Sequence, residues 1–87
     1  SEESGVDRET LFNVLDDYFK TQQLEVNWSV LENTSDERLV NSLATICPFE
    51  PSEKQALLEA PDLMARADVL TALLQMATAD DSETPVQ

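Results

Sequence analysis

The chain has 87 residues, eighteen acidic and five basic side chains, a net charge of −13 and no histidine. That length holds one small domain, and the charge repels phosphate, which argues against nucleic acid and anionic membranes as partners. With 41% hydrophobic residues the chain can fold; a lone glycine is too few for the turns of an all-β protein, and abundant Leu, Ala, Glu, Gln and Asp favour helix, so an all-α fold is expected.

Residues 1–6 read as a linker, 7–79 as a helical bundle and 80–87 as a disordered acidic tail. Asp7 is placed to cap the first helix. Behind it Leu11, Phe12, Leu15, Tyr18 and Phe19 recur at helical spacing beside Val14, and Asp16 can pair with Lys20 one turn on. This helix is expected to end at Gln22 or Gln23. A short helix over residues 27–32, with Asn27 as cap and Asn33 as stop, is the least regular element. Trp28 reads first as an anchor sealing the first helix to the others, since an indole covers a large area.

Thr34-Ser35-Asp36-Glu37 supplies a capping box, Thr34 to the amide of Glu37 and Glu37 back to Thr34. The stripe that follows is Leu39, Val40, Leu43, Ala44, Ile46 and Cys47, and Pro48 stops it. Phe49 reads as a plug between helices. Glu50 then caps a new helix with Pro51 at its first position and Glu53 in its first turn, Ser52 with Gln55 being a competing cap pair. That helix carries Ala56, Leu57 and Leu58 inward and closes at Ala60-Pro61. Asp62 caps the last helix, with Leu63, Ala67, Leu70, Leu73, Leu74 and Ala77 as its stripe, Val69 and Met76 on the flanks, and Asp62–Arg66 as an exposed pair. The expectation is a bundle of four helices plus the short one, each near its neighbour in sequence.

Chemistry is hard to find. The acidic pairs Asp16-Asp17 and Asp80-Asp81 point to different faces or lie in a tail, so no metal site is expected. Cys47 has no histidine to make it a thiolate and sits where a helix C-terminus opposes one, so it reads as a small core residue. No glycine-rich phosphate loop is present. The expectation is a protein without enzymatic activity, cofactor or metal. One cysteine on an apolar face fits a reducing, cytoplasmic setting, and no apolar run is long enough for a membrane span or signal peptide. Lacking an initiator Met, the chain reads as a monomeric piece cut from a longer protein.

Residues 39–77 resemble the end of the N-terminal, substrate-binding domain of Lon-type ATP-dependent proteases. The resemblance is carried by Leu39-Val40-Asn41-Ser42-Leu43-Ala44, the Pro48-Phe49 turn, Glu53-Lys54-Gln55-Ala56-Leu57-Leu58-Glu59, and Asp62, Arg66 and Leu70-Thr71-Ala72-Leu73-Leu74. In that family a β-rich lobe precedes a helical lobe, and the two are linked to recognition of substrate proteins. The chain is similar to the helical lobe alone. Ala67 departs from the family's usual Leu, and neither an ATPase motif nor a Ser–Lys protease centre is present. The resemblance implies a stand-alone Lon-domain-like parent and a non-catalytic module contacting polypeptides or a partner protein, with Trp28 and Phe49 as candidate contacts. The alternative it implies is a purely structural lobe that supports a β-rich one and has no ligand of its own; a third is an enzyme fragment whose catalytic residues lie elsewhere.

Overall fold

The computed structural model describes residues 5–82, and side chains through residue 79. Within them the chain forms five helices and no strand: α1 (Arg8–Gln22), α2 (Trp28–Glu32), α3 (Asp36–Ile46), α4 (Pro51–Glu59) and α5 (Leu63–Ser82). The all-α expectation holds, with four substantial helices and one short one.

Each helix starts where a side chain satisfies an orphan amide. The Asp7 carboxylate accepts from the Thr10 N–H at 3.1 Å and from the Thr10 hydroxyl at 2.8 Å. Asn27 accepts from Val30 at 3.3 Å, and Asp62 accepts from the Ala65 N–H at 2.8 Å. At α4 the Glu50 N–H donates to Glu53 Oε1 at 2.8 Å within a reciprocal capping box, and Pro51 opens the helix. Ser52 takes no part in the cap.

The start of α3 differs from expectation by one residue. Ser35 caps it, accepting from the Arg38 N–H at 3.3 Å. The Thr34 hydroxyl instead donates to the Val30 carbonyl at 2.7 Å, closing the end of α2. The Val30 carbonyl, which also accepts from the Asn33 N–H at 3.2 Å, takes the hydroxyl as a second donor at the helix end.

Helix ends are also local. Gln23 turns into the left-handed region at φ 60°, and the Leu24 N–H reaches back to the Phe19 carbonyl at 2.8 Å. Cys47 and Ala60 are extended, as residues before Pro48 and Pro61 must be. α5 runs on to Ser82, three residues into the stretch expected as tail, because no Gly or Pro interrupts it before Pro85. Residues 83–87 and 1–4 lie outside the described residues. Of the expected linker, Gly5 and Val6 are described, and Val6 packs against the core.

The core collects Leu11, Val14, Leu15 and Tyr18 from α1, Leu39, Val40 and Leu43 from α3, Leu57 from α4, and Ala67, Leu70, Leu73 and Leu74 from α5, with Cys47 between helices. α5 is the spine. α1, α3 and α4 all pack on it, and α1 lies chiefly against α5 rather than against α2, its neighbour in sequence. The reason is area: α2 has five residues and buries none, whereas α5 offers a broad apolar arc over five turns. Trp28 nevertheless seals one side of α1, its ring 5.7 Å from Phe12 and 6.0 Å from Phe19.

Three inward assignments are corrected. Ile46 is 75% exposed and Leu58 72% exposed, and Ala56 is exposed as well. Helical spacing explains α4: adjacent residues lie 100° apart, so a nine-residue helix that buries Leu57 turns both Ala56 and Leu58 away.

Candidate functional site

Turning Leu58 outward leaves a groove between α3 and α4, with α5 behind it. α3 contributes Asn41, Ala44 and Thr45, and α4 contributes Lys54, Leu57 and Leu58, with Arg66 of α5 completing a recess of about 320 Å³. Leu57, 1% exposed, belongs to the core and forms the floor, while Leu58 stands at the rim.

Arg66 was expected to pair with Asp62. It does not. Its Nε–H donates to the Leu57 carbonyl at 3.0 Å and its Nη1 to Asn41 Oδ1 at 2.7 Å, so one guanidinium joins three helices. Asp62 is occupied in capping α5. A helix-end carbonyl with a lone pair to spare, together with an amide oxygen, is a better pair of partners for a forked donor than one exposed carboxylate. Lys54, one turn from Leu57 and Leu58, donates to the Thr45 carbonyl at 3.3 Å.

Arg8, which does not line the groove, plays a similar tying role. It pairs with Asp36 at 2.6 Å, donates to the carbonyls of Thr34 at 3.1 Å and Leu31 at 3.2 Å, and stacks 5.1 Å over the Phe12 ring. The expected Asp16–Lys20 pair is present at 3.1 Å.

The two contact candidates fall in separate settings. Trp28 is half-buried against Phe12 and Phe19 and borders a shallow depression with Lys20, Leu24 and Glu25. Phe49 is half-buried against the core. The groove contains neither of them. Cys47 is buried, which pushes its thiol pKa up, with a Tyr18 hydrogen bond and the Lys54 charge pulling the other way. A raised pKa leaves little thiolate, so its chemistry is that of a core residue. Among the described residues no cluster of metal-ligating side chains occurs. No helix among them is long and apolar enough to cross a membrane.

Residues 7–76 match the family model of the ATP-dependent protease La (LON) substrate-binding domain. The chain belongs to this family. Its match spans α1 through most of α5, so the Lon resemblance noted for residues 39–77 extends over the whole bundle. A Lon substrate-binding domain has a general role in binding substrates or partners. No curated protein and no solved structure matches the chain.

Within this Lon-family bundle, sequence reasoning passed over the residues that build the groove. Arg66 carried a usable signal: it lies three residues after Leu63, four before Leu70 and seven before Leu73, in the middle of the apolar stripe. A charged residue there must find partners on the helices that cover the stripe. Leu58 carried a weaker one, as the second of two adjacent leucines on a short helix.

Proposed function

We propose that the chain is a non-catalytic polypeptide-binding module and that the α3–α4 groove is its contact surface. The observation that carries this reading is Leu58, 72% exposed beside the buried Leu57 at the mouth of a recess held by three helices. Rigid helices that present an apolar rim with a few convergent polar groups suit the capture of an extended or unfolded segment. Membership of the Lon substrate-binding family supports the same class of ligand. Trp28 and Phe49, half-buried at the bundle's edge, are secondary contacts in this reading. The absence of histidine from the sequence and the burial of Cys47 support a binding role over a catalytic one. The buried free thiol supports a reducing, cytoplasmic setting.

Titrating the labelled protein with a reduced, unfolded model protein tests this. Saturable amide shifts are expected at Ala44, Thr45, Lys54 and Leu58. Shifts scattered over the surface and removed by modest salt would count against a specific groove.

A second reading is favoured by Ile46. It is 75% exposed and lies outside the groove's lining. In that reading the lobe buttresses a neighbouring β-rich lobe, which covers Ile46, and binds nothing itself. Hydrogen exchange compared between this chain and a longer parent decides the matter: identical protection around Ile46 argues against a covering lobe.

A further inference from the structure

The five basic residues divide into two groups. Arg8 and Lys20, away from the groove, are the two that form ion pairs, with Asp36 and Asp16. Lys54 and Arg66 line the groove, and Arg38 lines an adjoining depression that shares Asn41 with it. None of these three has a carboxylate within ion-pair distance among the described residues. Shortage of acid does not explain this in a chain with eighteen acidic side chains. Three acids near Lys54 and Arg66 are engaged elsewhere: Glu53 with the Glu50 N–H, Glu59 with the Gln55 amide, and Asp62 with the Ala65 N–H, while Glu37 lines the adjoining depression beside Arg38.

Arg66 is also only partly used. Its Nε and Nη1 are bonded, whereas Nη2 has no hydrogen bond among the described residues and is not sealed from solvent. A guanidinium held in place through Nε and Nη1, with Nη2 free to donate, is oriented for a carboxylate. With Lys54 and Arg66 in its lining and no acidic side chain among them, the groove meets an acidic ligand with less of the repulsion that a net charge of −13 otherwise imposes.

Resting on the polypeptide-binding reading of this groove, we propose that its occupant is a segment with an Asp or Glu side chain next to large apolar residues. The carboxylate lies against Arg66 and Lys54, and the apolar side chains lie on Leu57 and Leu58. An internal acidic side chain suits the site better than a chain terminus, because terminal carboxylates are held by converging backbone amides and the lining here offers side-chain donors. Specificity then comes from the charge and contact area from the leucines.

The test uses the 87-residue chain and three fluorescein-labelled peptides with the core Leu-Leu-Asp-Leu flanked by Gly and Ser. One is amidated, the second has Asn for Asp and is amidated, and the third has Asn with a free C-terminus. Fluorescence anisotropy is expected to show the Asp peptide binding about tenfold tighter than its amidated Asn counterpart. Lys54→Gln, at the rim, should weaken the Asp peptide about threefold more than it weakens the amidated Asn peptide, so that the gap between the two narrows. Leu58→Ser should weaken both, and circular dichroism checks that both variants fold. Equal affinities for the Asp and amidated Asn peptides, still reduced by Leu58→Ser, overturn the carboxylate assignment and leave the groove standing. A free-terminus Asn peptide as tight as the Asp peptide overturns the side-chain assignment in favour of a terminus. Binding untouched by Leu58→Ser, or no binding at all, overturns the groove reading and this inference with it.

Discussion

The Arg66 Nε–H donates to the Leu57 carbonyl at 3.0 Å, so the first turn of α5 closes the last turn of α4. The same guanidinium reaches Asn41 of α3 at 2.7 Å. Replacing it with Met keeps the stem but removes the donor to Asn41 Oδ1 and leaves the Leu57 carbonyl with the Ala60 N–H at 3.3 Å. Arg66→Met is expected to cost about 1–3 kcal/mol in urea melts. A midpoint unchanged from the parent protein would show that the latch is decorative.

Arg8 ties α2 to α3 through Asp36 and the carbonyls at the end of α2. Its contacts use several donors in one plane, which a single ammonium cannot reproduce. Arg8→Lys should therefore recover little of the loss produced by Arg8→Ala, which is expected to be about 1–2 kcal/mol. Thermal melts of the two variants make the comparison; full recovery by Lys would reduce the interaction to a plain ion pair.

Leu57 and Leu58 are adjacent yet differ completely in burial, 1% against 72% exposed. Leu57→Ala should cost about 2–5 kcal/mol, as should Leu43→Ala and Leu70→Ala in the same core. Leu58→Ala should stay within about 0.5 kcal/mol. Denaturant melts showing comparable losses at 57 and 58 would contradict the placement of α4.

The Asp7 carboxyl is held below the usual carboxylate pKa, first by the Thr10 N–H and then by the Thr10 hydroxyl. A pKa lowered in the folded state means that ionised Asp7 stabilises the fold. That contribution is fully present above the unfolded value of about 4 and is lost as pH falls through the folded one. Asp7→Asn retains an acceptor without the titration. The melting-temperature gap between the two proteins should therefore narrow as pH drops from about 5 to 2, and a constant gap would rule out the cap as its source.

Gln23 occupies the left-handed region that glycine adopts freely. Gln23→Gly is expected to raise stability by about 0.5–1 kcal/mol by removing the Cβ clash, a gain readable as a small rise in melting temperature. A fall would mean that the glutamine side chain contributes contacts outweighing the strain.

The features legible in the sequence were those decided within a few residues. Asp7, Asn27, Glu50 and Asp62 punctuate helices through bonds between positions three apart, Pro51 opens α4 through its fixed φ, and all five behave as their types suggest. Thr34 and Ser35 were interchangeable on that basis, and only the Val30 carbonyl decides between them. Tertiary decisions were less visible. Ile46 and Leu58 have the same apolar character as their buried neighbours, and their exposure depends on how closely α3, α4 and α5 approach. The groove was illegible for the same reason, since its lining comes from positions 41 to 66 and converges only once α5 is in place.

The packing of α1 on α5 also bears on how the chain acquires its shape during synthesis. α3, α4 and α5 are contiguous and can assemble as they emerge, whereas Leu11 and Leu15 have no adequate apolar surface to settle on until Leu70 and Leu74 exist. Of these five helices, the one that leaves the ribosome before the others is thus the last to be seated. Until then its greasy stripe is exposed to anything that binds unfolded protein, and closing that long loop is the slow, non-local step of an otherwise local fold.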